Sequence, residues 1–215
     1  MGRRINNTRR ISNDRVRKIR QHKNKIIIAV EGKNKTEKLY FDNFDNGKQS
    51  YSITIAKGND TDPLKLVKNL NKEIIKNELD LLNGDMAFCV FDTDEDINKN
   101  KLIIEAKKYA TSKKIIMISS SPCIELWFLL HYEYTTASLS NDKLIKRLKQ
   151  YYQKYEKNIN IYPEINNNVN KAIERAKKLE QYQLNNGKTV GTVESNPSTE
   201  MYIIVEYLTK NSKSS

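Results

Sequence analysis

A chain of 215 residues is long enough for one domain with a substantial core and a small appendage. Its 38 Lys and Arg against 26 Asp and Glu leave a net charge of +12, which favours a polyanionic partner. No apolar run approaches the roughly 20 residues that cross a bilayer, and Cys89 and Cys123 stand alone, so a membrane span, a disulfide framework and a cysteine zinc site are not expected and a reducing cytoplasm is.

The positive charge is concentrated at the start. Arg3, Arg4, Arg9, Arg10, Arg15, Arg17, Lys18, Arg20 and Lys23 crowd residues 1–24, with Asp14 as the only acid before Glu31. Arg is used there in a chain that otherwise prefers Lys, and Arg grips phosphate bidentately. Arg15, Arg17 and Arg20 are therefore candidates for nucleic-acid binding, the other reading being a solvated tail.

Lys25 to Val30 is a β-branched run read as a buried strand, broken by Glu31-Gly32-Lys33-Asn34-Lys35. Thr36 to Phe44 then reads as helix and Tyr51 to Ala56 as a second strand. Asp62-Pro63 supplies an N-cap residue followed by Pro at the first helical position, and Leu66, Val67, Leu70 and Ile74 recur at helical spacing behind it. Met86 to Phe91 is a third strand, Leu102, Ile103, Ala106 and Ala110 mark a helix, Lys114 to Ile118 is a fourth strand, and Cys123 to His131 is helical. This alternation predicts an α/β fold, a mainly parallel sheet flanked by helices, over residues 25–135. Residues 136–215 differ: Asp142 to Tyr155, Val169 to Leu184 and Thr199 to Leu208 carry helical periodicity, the last with Met201, Ile204, Val205 and Leu208 on one face. They are expected to form a helical carboxyl-terminal subdomain on the core.

The chemistry is concentrated in Val90-Phe91-Asp92-Thr93-Asp94-Glu95-Asp96, an apolar strand that ends in acids. Asp92 and Asp94, two residues apart, project together if the strand continues to Asp94, at the end of the sheet where open α/β folds place their sites. Like charges held together need a cation or a proton, and Mg²⁺, with Mn²⁺ as the alternative, suits a few carboxylates and phosphate oxygens. If the first and third strands are neighbours, Glu31 joins them, either completing the metal site or handling the proton. Lys33 and Lys35 would hold flanking phosphates. Glu95 and Asp96 read as solvated acids.

Three segments carry a family resemblance. Val30-Glu31-Gly32, Thr36-Glu37 and Tyr40-Phe41 resemble the "EGxxTExxYF" opening of the RloB family; Ser121-Pro122-Cys123-Ile124-Glu125-Leu126-Trp127-Phe128-Leu129-Leu130-His131 resembles its "NPCFExWLLLHF" box; and Asn196-Pro197-Ser198-Thr199, followed by Tyr202, Val205 and Leu208, resembles its "NPST" segment. Ser121 and Ile124 depart from the usual Asn and Phe. The resemblance implies a Toprim-like (Rossmannoid) fold and Mg²⁺-dependent phosphodiester cleavage, with Glu31 as general acid/base or metal ligand and Asp92 and Asp94 as metal ligands. It also implies a place in anti-phage loci, an ABC-type or AAA-type ATPase partner, and RNA, tRNA included, or DNA as the target. Glu125 has two readings, a further metal ligand in the family box or a carboxylate favouring its own helix N-terminus. Glu37 likewise either caps with Asn34 or serves the site. Trp127 to Leu130 read as core, and His131 as a hydrogen-bonding residue. The helical tail offers a surface for homodimerisation. The competing reading from another class is a non-catalytic module that binds nucleic acid or a nucleotide and docks on the ATPase.

Overall fold

The computed structural model describes residues 23–32, 36–45, 47, 49–57 and 60–211. Arg15, Arg17, Arg20, Lys33 and Lys35, and with them the arm's proposed role, lie outside the described residues, as does Asn34.

Strand β1 (Asn24–Val30) is apolar at consecutive positions because both its faces are covered. Ile26, Ile28 and Val30 enter one hydrophobic cluster and Ile27 and Ala29 another, the alternation that a strand's period of two dictates. Strand β3 (Met86–Asp92) does the same, sending Phe88 and Val90 to one side and Ala87, Cys89 and Phe91 to the other. With β2 (Tyr51–Ile55), β4 (Ile116–Ser121) and the two-residue β5 (Ser198–Thr199) they make, among the described residues, a five-stranded sheet in the order β2-β1-β3-β4-β5. The first four strands run parallel and β5 is antiparallel to β4. The expected α/β fold with a mainly parallel sheet is therefore present.

Two unlike layers cover the sheet. Helices α2 (Pro63–Lys76) and α3 (Lys99–Ser112) cover one face through Leu66, Val67, Leu70, Ile74, Ile103, Ala106 and Ala110. Asp62 caps α2, its carboxylate accepting from the Lys65 N–H at 2.8 Å with Pro63 at the first turn. The other face receives α1 (Thr36–Phe41), α4 (Glu125–Leu130), α5 (Asn141–Tyr151), α6 (Tyr162–Ile165), α7 (Val169–Asn185) and α8 (Met201–Asn211). Residues of α5 to α8 share one hydrophobic cluster with β1, β3, β4 and α4, and β5 extends the sheet itself. Met201, Ile204, Val205 and Leu208 are all buried in it.

Several boundaries differ from the sequence expectation, among them that of α4, which runs Glu125–Leu130 within the expected Cys123 to His131. Strand β4 begins at Ile116 and runs on through three buried serines to Ser121. Serines read as loop, yet here each hydroxyl is satisfied: Ser119 Oγ donates to Glu200 at 2.6 Å, Ser120 Oγ pairs with Thr199 Oγ1 at 2.8 Å, and Ser121 Oγ accepts from Thr93 Oγ1 at 2.9 Å. Helix α1 stops at Phe41 and a tighter turn, Asp42–Phe44, follows. Helix α5 ends at Tyr151, so Tyr155 lies in the loop beyond it. Thr199 belongs to β5 rather than to α8, a strand too short for any periodicity to announce.

Candidate functional site

The strand order reverses direction between β1 and β3, with β2 outside one and β4 outside the other. Such a switch point opens a crevice at the carboxyl ends of the strands. Val30 is level with Val90, so Glu31 leaves β1 beside the end of β3. Glu31 Oε2 accepts the Asp92 N–H at 2.9 Å, which fixes the two residues to one another. Gly32 follows with φ +65°, a left-handed conformation that glycine adopts at little cost, and donates its N–H to Asp60 O at 3.0 Å.

Asp92 and Asp94 do not project side by side. The backbone leaves the extended conformation after Asp92, and Asp94 sits at φ 54° with its N–H on Pro122 O at 3.0 Å, so the two-residue alternation of a strand no longer applies. Asp94 turns to Lys99, the first residue of α3, whose ammonium lies 2.7 Å from Asp94 Oδ2, 3.0 Å from Glu31 Oε1 and 3.1 Å from Asp92 O. Asp92, half-buried at the end of β3, lines the same cavity as Glu31. Burial first, then the charges of Glu37, Glu125, Glu31 and Asp94 in that order, raise its carboxyl well above the usual range.

That order of influence brings two further acids into the site. Glu37, in the first turn of α1, is 4% exposed and its Oε2 has no hydrogen-bond partner. Burial, together with Glu125 and Glu31, pushes its carboxyl up to about 7. Its N-cap reading rested on Asn34, and what the structure shows is a buried acid among acids. Glu125 opens α4, is 2% exposed, and accepts a hydrogen bond from Tyr155 Oη at 2.9 Å. Glu125 stands in the first turn of α4, and its charge is among those that raise Asp92. Burial raises Glu31 too, though Lys99 pulls it partly back.

The cavity above these groups holds about 270 Å³ and is lined by Glu31, Gly32, Thr61, Asp92, Asp94, Asn141 and Lys157. Asn141 and Lys157, like Tyr155, come from beyond residue 135, so the carboxyl-terminal segment builds part of this wall. Asn158 ties that segment to α1 by donating its N–H to Thr36 Oγ1 at 3.1 Å. Nothing in the sequence marked Lys99, Tyr155 or Lys157: a lysine in a chain with 38 Lys and Arg carries no signal by type. Glu95 and Asp96 are exposed; Glu95 accepts from the Asn141 N–H at 2.9 Å, across 46 positions, and Asp96 accepts locally from the Asn98 N–H at 3.0 Å.

Among the described residues, no three His, Cys, Asp or Glu side chains form a ready-made metal site. The donor set nevertheless suits a hard divalent cation: it is all carboxylate oxygen, it carries an unpartnered buried oxygen on Glu37, and an ammonium already bridges Glu31 and Asp94.

His131 stands apart from this group. It is 1% exposed, and because a carbonyl only accepts, its Nδ1 must donate to Trp127 O at 2.9 Å, leaving Nε2 bare and without a partner. Burial lowers it to about 4. Since the unfolded chain takes up a proton below about 6.5 and the native imidazole does not, native stability falls as pH drops from about 6.5 towards 4. Glu37 slopes the other way: with a native value near 7, its contribution is fully present below the usual carboxylate range and is lost as pH rises through 7. His131→Gln should therefore remove about 2 kcal/mol of the loss between pH 7 and pH 5, read by urea denaturation at both pH values. Equal losses in variant and parent would show that His131 is not held neutral.

An α/β fold with acids at its switch point describes a class of site. Within that class, the family model described as RloB-like protein matches residues 26–208. The chain belongs to the RloB-like family. No curated protein and no solved structure matches it significantly.

Proposed function

We propose that this protein is a Mg²⁺-dependent Toprim-type nuclease of a prokaryotic anti-phage system that cleaves phosphodiester bonds. The observation that carries the reading is the gathering of Glu31, Glu37, Asp92 and Glu125 at the β1/β3 switch point, three of them raised above the usual carboxylate range. A fold that only needed stability would not bury mutually repelling acids there.

Glu31, Asp92 and Asp94 would hold Mg²⁺, or Mn²⁺ in its place, which when bound polarises a phosphoryl oxygen and lowers the pKa of a water. Glu31 keeps its carboxylate oriented by accepting from the Asp92 N–H. Glu37, balanced near neutrality, can hold or yield a proton at physiological pH. Tyr155 fixes the rotamer of Glu125, and Lys157 supplies a cation on the cavity wall where a substrate phosphate would lie. The nucleophile is a water or, on RNA, a ribose 2′-hydroxyl, attacking phosphorus in line with the leaving oxygen. RNA, tRNA included, is favoured over DNA because related Toprim effectors of such systems act on it. The RloB-like membership supports the defence setting, with a partner ATPase of ABC or AAA type.

The test is sequencing of RNA ends from cells expressing the wild type beside Asp92→Asn, together with assays of purified protein on RNA and DNA with and without a chelator. New ends confined to the wild type, and cleavage lost on chelation, are expected. Cleavage that survives both treatments would sink the metal mechanism. Absence of any cleavage, with Glu31, Asp92 and Asp94 dispensable for defence, would favour the non-catalytic module.

A further inference from the structure

Of the ion-paired cations among the described residues Lys99 is the least exposed, and it lies between two of the carboxylates that would hold a divalent ion. An ammonium has three protons to donate, and all three find oxygen: Asp94 Oδ2 at 2.7 Å, Glu31 Oε1 at 3.0 Å and Asp92 O at 3.1 Å. The Lys99 side chain is 14% exposed, as is that of Glu31, whereas Asp94 on the outer side is 46% exposed. Among the described residues the pair is thus open on the Asp94 side, which gives the lysine a way out. Its four-carbon stem can swing without moving α3, and it hangs from the first residue of that helix, after an Asn98 whose side chain makes no cap bond. An ammonium and a divalent cation cannot share two carboxylates at this spacing without strong repulsion.

We propose that Lys99 is a tethered counter-ion which closes the Glu31–Asp94 subsite and must be displaced for a divalent cation to enter. This rests on the metal reading of the site. It makes Lys99 a positioning residue: in the metal-free protein it holds Glu31 and Asp94 together against their repulsion, and in the loaded protein it is set free at the cavity edge. Metal binding is thereby an exchange of one cation for another, and the site does not collapse or scatter when the ion leaves.

The measurement is Mn²⁺ titration of wild type, Lys99→Met and Lys99→Arg at fixed ionic strength, following free Mn²⁺ by electron paramagnetic resonance. Lys99→Met should bind about tenfold more tightly than wild type, because the competing charge is gone while the stem is kept; Lys99→Arg should bind like wild type or more weakly. In parallel, acylation of Lys99 in the unmodified protein, read by mass spectrometry, should rise several-fold at saturating Mn²⁺. Equal or weaker binding by a folded Lys99→Met overturns the exchange while leaving the metal site standing. Should that variant not fold, the acylation decides alone, and an amine equally protected with and without bound Mn²⁺ overturns the proposal. No Mn²⁺ binding to any of the three proteins overturns both this inference and the metal reading beneath it.

Discussion

Replacing Asp92 with Asn is expected to abolish cleavage and, in the same molecule, to raise the melting temperature of the metal-free protein. The two effects share one cause. Asp92 is surrounded by Glu37, Glu125, Glu31 and Asp94, and burial with these charges raises its carboxyl well above the usual range. A group whose native pKa lies above its unfolded value contributes most below the usual carboxylate range, and that contribution is lost as pH rises through the native value. As pH rises from the usual carboxylate range to that native value, the wild type therefore loses native stability that Asn does not lose. The gain in melting temperature should therefore grow with pH over that interval. Catalysis should fall by about a thousandfold or more, since a carboxylate that anchors a metal has no substitute in an amide. Added Mg²⁺ should reverse the ranking. A ligand present at 100 times its dissociation constant stabilises its host by about 2.7 kcal/mol, and only the wild type can collect it. Thermal melts of both proteins with chelator and with Mg²⁺ give the four numbers required. A variant that melts lower than wild type in chelator would mean that Asp92 serves the fold, and the reading of the acidic group as a functional arrangement would lose its physical basis.

The parts of this molecule legible in the sequence are those encoded locally. Ile26-Ile27-Ile28 announces a strand buried on both faces, Asp62-Pro63 announces a helix start, and the run from Phe88 to Asp92 announces a strand with acids at its end. The nearness of Glu31 to Asp92 followed from one assumption, that β1 and β3 are neighbours, and the sheet order meets it. What sequence could not supply are contacts made across long separations by residues of common type. Lys99 reaches Glu31 over 68 positions and Tyr155 reaches Glu125 over 30. Glu37 follows Thr36 at a helix start, where an acid is ordinary, and only its burial beside Asp92 and Glu125 distinguishes it. The serines of β4 misled because a hydroxyl is read as a loop signal until its partner on β5 or Glu200 is known. The expectation that Asp92 and Asp94 act as a side-by-side pair failed for a backbone reason, the left-handed turn at Asp94, which no pattern of charges reveals.

Trp127→Ala should unfold much of the population without any direct effect on nucleic-acid recognition. An aromatic in a family box, within a basic protein, invites a base-stacking role, and the structure gives Trp127 no surface to stack with. It is 0% exposed, its indole N–H donates to Tyr40 Oη at 2.9 Å, and its ring meets His131 edge-on with centroids 4.9 Å apart. Tyr40 in turn packs against Phe41, Phe44, Phe128 and Tyr162, so the indole joins α4 to α1, the helix that carries Glu37. Truncation removes a large buried side chain, leaves a cavity, and strips the Tyr40 hydroxyl of a donor. The expected cost is about 3–5 kcal/mol, a large share of the stability of an ordinary domain. Chemical denaturation should show this as a lower midpoint with little change in slope. Trp127→Phe, which keeps most of the ring and loses the hydrogen bond, should cost about 1–2 kcal/mol. Where the alanine variant is still folded, it should bind RNA as the wild type does. A Trp127→Ala protein of undiminished stability that has lost RNA affinity would reverse the assignment and place the indole at the substrate.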